Sequence, residues 1–158
     1  MKLNNVFSIE QAKKKLEYYC VYQERCHLDI ENKMRSMKLS ASFKETAMLH
    51  LLENDFLNEE RFTKAFARGK FKIKKWGKLR IVSELKARNI SEYNIRSGLN
   101  EISESDYFES FNELAIKRLS QISETNIYKK RKKLADYLLY RGWESDLVYN
   151  KVMELVKK

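Results

Sequence analysis

Leu57–Ser91, LNEERFTKAFARGKFKIKKWGKLRIVSELKARNIS, decides how this chain folds. Its apolar residues recur at helical spacing. From Asn58 onward, Phe62, Ala65, Phe66, Gly69, Ile73 and Trp76 fall in one arc at about 100° per residue. Arg61, Lys64, Arg68, Lys72 and Lys75 fall in a second arc, roughly 120° from the first. One face can pack while the other offers a column of cations. The pattern predicts helices near 58–75, 77–88 and 91–102. Eleven Lys/Arg stand against three acids here, so the segment carries +8 of the chain's +10.

Start and stop signals spread outward from this stretch. Ser8 with Gln11 and Ser42 with Glu45 fit capping boxes, and Asn58, Ser91 and Ser105 fit simple N-caps. Lys86-Ala-Arg-Asn89-Ile90 and Leu139-Tyr-Arg-Gly142-Trp143 place a residue that tolerates the left-handed region, then a large apolar one, after a basic helix end. These stops expose an internal repeat. A shift of 53 residues matches Ile81 to Leu134, Leu85 to Leu138, Ile90 to Trp143 and Leu99 to Val152. A shift of 51 the other way matches Ile81 to Ile30, Leu85 to Met34 and Ile90 to Leu39. The expectation is an all-α chain of three tandem three-helix repeats at 8–56, 57–103 and 104–158. A unit of that size has little core of its own, so the repeats should stack into an elongated, curved array.

Composition agrees. The 158 residues hold no proline and four glycines, and no run alternates apolar and polar cleanly enough for a strand. With 32 Lys+Arg against 22 Asp+Glu, the clustered excess favours an anionic partner over a solubility role alone. Met1–Gln11 lacks an apolar signal region and no long apolar run occurs, so a cytoplasmic protein without membrane attachment is expected. Cys20 and Cys26 then stay reduced. Together with His27 and His50 they miss the tight spacing of a structural zinc site, and no metal or other cofactor is expected. No glycine-rich phosphate loop, GxSxG or His-centred constellation points to catalysis.

Leu57-Asn-Glu-Glu-Arg61-Phe62, Lys75-Trp-Gly77-x-x-Arg80-Ile81-x-x-Glu84-Leu85 and Ala87-Arg-Asn89-Ile90 resemble the central signature of the RecX family. Arg25-Cys26-x-x-Asp29-Ile30-x-x-Lys33-Met34 upstream and Arg141-Gly142-Trp143 downstream resemble its flanking motifs. There are departures: Asp55 replaces a frequent glycine, Lys38 and Asn89 replace stop glycines, and Cys26 replaces a capping serine. The resemblance implies a non-enzymatic regulator of the RecA recombinase. Such a protein binds along the groove of the recombinase–DNA filament and lowers strand exchange, ATP turnover and co-protease activity. A monomer is expected.

The column Arg61, Lys64, Arg68, Lys72, Lys75 and the next helix start, Lys78 and Arg80, are the candidate contacts with that filament or with single- or double-stranded DNA. Lys117, Lys129, Lys130 and Lys133 form a secondary set at the matching place in the third repeat. Phe71, beside the column, is either a contact that stacks on a base or fills a partner pocket, or is buried by the neighbouring repeat. Trp76 and Trp143 are expected as core plugs at repeat boundaries. Two other readings remain: a stand-alone nucleic-acid-binding module of helix-turn-helix type, pivoting on Gly77, or a helical scaffold whose charge only aids solubility.

Overall fold

The structure, a computed structural model, describes residues 6–158, so the reading of Met1–Asn5 as free of a signal region lies outside it. The described residues form nine helices and no strand: α1 Ile9–Tyr22, α2 His27–Ser36, α3 Ala41–Glu53, α4 Glu59–Lys72, α5 Lys78–Ala87, α6 Glu92–Leu99, α7 Glu104–Ser120, α8 Ile127–Tyr140 and α9 Ser145–Leu155. The closest packing runs within successive threes: α1 on α3, α4 on α6 and α8 on α9. We propose 8–56, 57–103 and 104–158 as the corresponding folding units.

Starts follow the expected chemistry with two corrections. Ser8 and Gln11 form a complete capping box, and Asn58 and Ser91 each accept the N3 amide. Ser42 and Ser105 do not cap. Ser40 accepts from Phe43 N at 3.2 Å and Ser103 accepts from Asp106 N at 3.1 Å, so α3 and α7 begin earlier. In each case the serine nearer the preceding stop takes the cap.

The middle helix of every triplet stops in the same way. Lys38 (φ 55°), Asn89 (φ 58°) and Gly142 (φ 93°) are all left-handed. After each, an apolar residue returns its amide to the last turn: Leu39 to Met34 O, Ile90 to Leu85 O and Trp143 to Leu138 O. Those three apolar residues are buried, so each stop also plugs a core.

Two apolar cores result. Ala12, Leu16, Cys20, Ile30, Met34 and Leu51 belong to one, built from the first triplet. The other runs without a break through the second and third triplets, joining Phe71, Ile81 and Leu85 to Phe111, Leu134 and Trp143, and it takes in Cys26. The accessible surface is 10415 Å². A compact monomer of this mass would expose about 8,400 Å². The excess fits an elongated stack.

Helix α4 lies at the centre and buries more than one stripe. Thr63 is fully enclosed against α6, where a Cβ on Gly98 would sit 2.8 Å from the Thr63 Cγ2. Phe71 is buried against Tyr107 and Trp143 of the third triplet, which decides between the two expectations for it. Ile73, expected on the packing face, is 78% exposed because the helix tightens and ends there.

Candidate nucleic-acid interface at the joint of the second and third triplets

The two joints between triplets share a device. The first amide of α2, His27 N, donates to the Glu59 carboxylate at 3.0 Å. The first amide of α5, Lys78 N, donates to the Tyr107 hydroxyl at 2.8 Å. Each acceptor comes from the first turn of the next triplet's leading helix, so one repeat satisfies an orphan donor of its neighbour. The Tyr107 hydroxyl in turn donates to Glu144, at 2.7 Å from Oε1 and 2.9 Å from Oε2. Burial pushes the ionisation of Tyr107 well above the ordinary phenol range, which keeps this relay protonated.

At the second joint two backbones nearly touch. Gly77 N donates to Arg141 O at 2.8 Å, and Leu79 N donates to Gly142 O at 3.0 Å. A Cβ on Gly77 would lie 2.3 Å from Gly142 O, and one on Gly142 would lie 2.2 Å from the Arg80 Cβ. Only glycine on both sides permits this approach. It draws the α4–α5 turn of the second triplet onto the α8–α9 corner of the third. Trp143 Nε1 donates to Lys75 O at 3.1 Å, and the Arg141 guanidinium donates to Lys74 O.

The cations of α4 divide into two groups. Arg61 donates to Glu24 at 2.7 Å and to Asp55 at 3.0 Å, and its remaining donors reach the carbonyls of Asp55 and Phe56. It clamps the first joint. Lys64 pairs with Glu60 at 3.3 Å, and Arg68 pairs with Glu101 at 3.0 Å. The field of these three is largely cancelled next door. Lys72, Lys74 and Lys75 are exposed and, among the described residues, pair with no carboxylate. Lys75 does not continue the column. It lies past the helix end in the left-handed region (φ 59°), which swings it onto the joint.

Lys78 and Arg80 sit at the joint itself, against aromatic faces. Lys78 Nζ is 4.6 Å from the centre of the Tyr107 ring. The Arg80 guanidinium is 4.2 Å from the Trp76 ring and 4.8 Å from the Tyr140 ring, and it donates to Tyr140 O at 3.3 Å. Lys70 Nζ lies 5.1 Å from the Trp76 ring. Trp76 is therefore a half-buried platform, while Trp143 is a fully enclosed plug. The Arg141 and Arg118 guanidiniums lie 4.8 and 4.5 Å from the Tyr137 ring. Of the secondary set, Lys133 reaches Glu124 at 3.4 Å, whereas Lys117, Lys129 and Lys130 lie on α7 and α8 with no such pairing among the described residues.

Sequence reasoning did not find Tyr137, Tyr140 and Arg141 as parts of this surface. One signal was available. The 53-residue shift aligns Tyr140 with Ala87, so a large aromatic stands at an exposed position where the second repeat has a methyl group.

Residues 58–99 match the family model described as RecX, second three-helix domain, and residues 104–152 match RecX, third three-helix domain. A protein named Regulatory protein RecX from Clostridium acetobutylicum is 28% identical over 134 residues, covering 82% of this chain and 60% of that relative. One of the same name from Clostridioides difficile is 24% identical over 126 residues, covering 77% and 59%. The chain thus spans about 60% of the length of these curated relatives. Among solved structures, that of a regulatory protein RecX superposes with a TM-score of 0.81 at 20% identity, covering 92% of this chain and 73% of the other. RecX from Lactobacillus salivarius gives a TM-score of 0.78 at 21% identity, covering 93% and 96%. At such identities the superpositions speak for the fold, an all-α series of three-helix domains. The two domain matches together take in more than half of the sequence, and on them this chain belongs to the RecX family of regulatory proteins.

Proposed function

We propose that this chain is a non-catalytic, cytoplasmic regulator that binds the RecA–DNA filament through a basic surface. Bound there as a monomer, it lowers strand exchange, ATP hydrolysis and co-protease activity. Family membership supports the regulatory role. The observation that carries the polyanion partner is the cluster Lys72, Lys74 and Lys75, which crowds onto one turn without carboxylate partners among the described residues. Like charges held together repel, and an anionic partner relieves that repulsion. Arg61, Lys64 and Arg68 contribute less to such a contact, because each already faces an acid. No helix among the described residues is long and apolar enough to cross a membrane.

The test is ATP turnover by the cognate recombinase on single-stranded DNA, with substoichiometric protein added. The proposal expects inhibition that fades as salt rises. Each phosphate neutralised contributes roughly −0.7 to −0.9 to the log–log salt slope. Replacing Lys72, Lys74 and Lys75 together by Ala should therefore flatten the slope by about 2 to 3 and weaken inhibition. Helix content should not change, since all three side chains are exposed. A wild-type protein that leaves turnover untouched would sink the regulator reading.

A further inference from the structure

We infer that the joint of the second and third triplets is a single-strand nucleic-acid site, in which an unpaired base stacks on Tyr140 and its flanking phosphates meet Lys74, Lys75 and Arg141. The inference deepens the filament-regulator reading and rests on it for the identity of the polyanion.

Tyr140 carries the argument. It closes α8 and is 76% exposed, much as Tyr18 and Tyr22 are, and what sets it apart is a cation that a different triplet holds against its ring. One guanidinium, that of Arg80, lies against it at 4.8 Å and is itself set against Trp76 at 4.2 Å. The ring is thus held in place and polarised by a cation, while most of its surface stays open. The glycine contact between Gly77 and Gly142 fixes this arrangement, because it brings Arg80 of one triplet under the Tyr140 carbonyl of the next. Neither triplet contains the stack alone.

The space beside the ring suits a base. An open groove of about 670 Å³ runs between the end of α7 and α8, walled by Tyr140, Tyr137, Arg118, Lys133 and Gln121. Arg118 lies against Tyr137, and its Nε is buried without an acceptor among the described residues. That nitrogen is closed to the groove, and the outer guanidinium nitrogens of Arg118, on a half-buried side chain, are the donors that can meet a base carbonyl or a phosphate there. Groove, open aromatic, stacked arginines and unpaired lysines together make the combination that holds single strands: charge along the backbone and ring faces for the bases. Duplex DNA fits this chemistry poorly, since its bases are already stacked on each other.

The experiment measures binding of a fluorescein-labelled oligothymidine by anisotropy, beside an abasic strand of equal length. Wild type, Tyr140→Ala and Tyr140→Phe are compared, with thermal unfolding run on each. Tyr140 is exposed, so the variants fold as the wild type does. We expect Tyr140→Ala to lose about 5- to 150-fold in affinity for the oligothymidine, the range for one stacked base. Tyr140→Phe keeps the ring and should bind as wild type. The abasic strand should bind all three proteins alike and weakly. Equal oligothymidine affinity for wild type and Tyr140→Ala overturns the inference, and so does an abasic strand that binds wild type as tightly as oligothymidine. Tyr140→Ala that loses recombinase inhibition with DNA affinity intact would make the ring a protein contact and equally overturn it. Conversely, Tyr140-dependent DNA binding in a protein that never inhibits the recombinase would remove the regulator reading and leave this site standing.

Discussion

Single residues here do more joining than their types suggest. Lys38 holds φ 55° at the stop of α2, where the third triplet uses Gly142. A side chain in that region costs about 1–2 kcal/mol, against about 0.5–1 kcal/mol for the extra chain entropy of glycine. Lys38→Gly should therefore raise stability by about 0.5–1 kcal/mol, read as a higher urea midpoint at an unchanged slope. Asn89→Gly should gain less, because asparagine already tolerates φ 58°. Arg61 illustrates the opposite case. The sequence places it on a cationic column, and its helical phase is right, but phase says nothing about Glu24, which approaches from the loop between α1 and α2. The clamp is partly exposed, so its worth is discounted to about 1 kcal/mol. Arg61→Ala should cost about that much in urea unfolding, and Glu24→Gln added to it should cost little more. Full additivity of the two would show that they do not act as a pair. The caps teach a similar lesson. Ser42 satisfies the capping-box spacing with Glu45, yet Ser40 wins because it follows directly on the buried Leu39 plug, which fixes where the chain can turn.

At the scale of the helix, the period of α4 was readable and its neighbours were not. Phe62 and Phe66 sit on the packing side as their spacing implies. Ala67 and Phe71 are also buried, because α6 covers one flank and the third triplet covers the other. A one-dimensional pattern records that a stripe is apolar but not how many partners press on the rest. Two glycines separate these influences experimentally. Gly69, inside α4, would place a Cβ in open space. Gly69→Ala should thus stabilise by about 0.5–1 kcal/mol, the ordinary gain in a helix interior. At Gly142 the Cβ would meet Arg80 N at 2.5 Å, and the backbone is left-handed as well. Strain and overpacking there each cost about 1–3 kcal/mol, so Gly142→Ala should lose about 2–5 kcal/mol. Its thermal transition should fall by many degrees while that of Gly69→Ala rises. Equal behaviour of the two would mean that the glycine crossing does not hold the joint.

For the whole molecule, the repeat was visible in the spacing of its stops, whereas the unequal coupling of its units was not. The same shift aligns all three middle helices, yet the first triplet keeps its own core while the other two share one. The reason lies in the joints. Between the second and third triplets, Phe71, Tyr107 and Trp143 are stacked aromatics in one continuous apolar volume. Between the first and second, the apolar share is Cys26 and Leu28 of the first triplet set into the second core, and the rest is polar: the Arg61 clamp and the Glu59 carboxylate on His27 N. Polar, partly solvated joints couple neighbours less strongly than shared apolar burial does. A stack of unequal joints should open first at its weaker one. The two cysteines report on this without any engineering. Cys20 belongs to the first core and Cys26 to the second, and burial pushes both thiols from 9.0 up to about 11. Neither should react with a thiol reagent at neutral pH unless its surroundings open. In rising but sub-denaturing urea, Cys26, the cap of α2 set into the joint, should be labelled first, with a lower opening free energy than Cys20, which stays inside the first core until that triplet itself unfolds. Peptide mapping of the labelled protein gives the two rates separately. Equal opening energies at Cys20 and Cys26 would mean that the clamp couples the first triplet as tightly as the aromatic joint couples the rest, and that the molecule unfolds as a single unit.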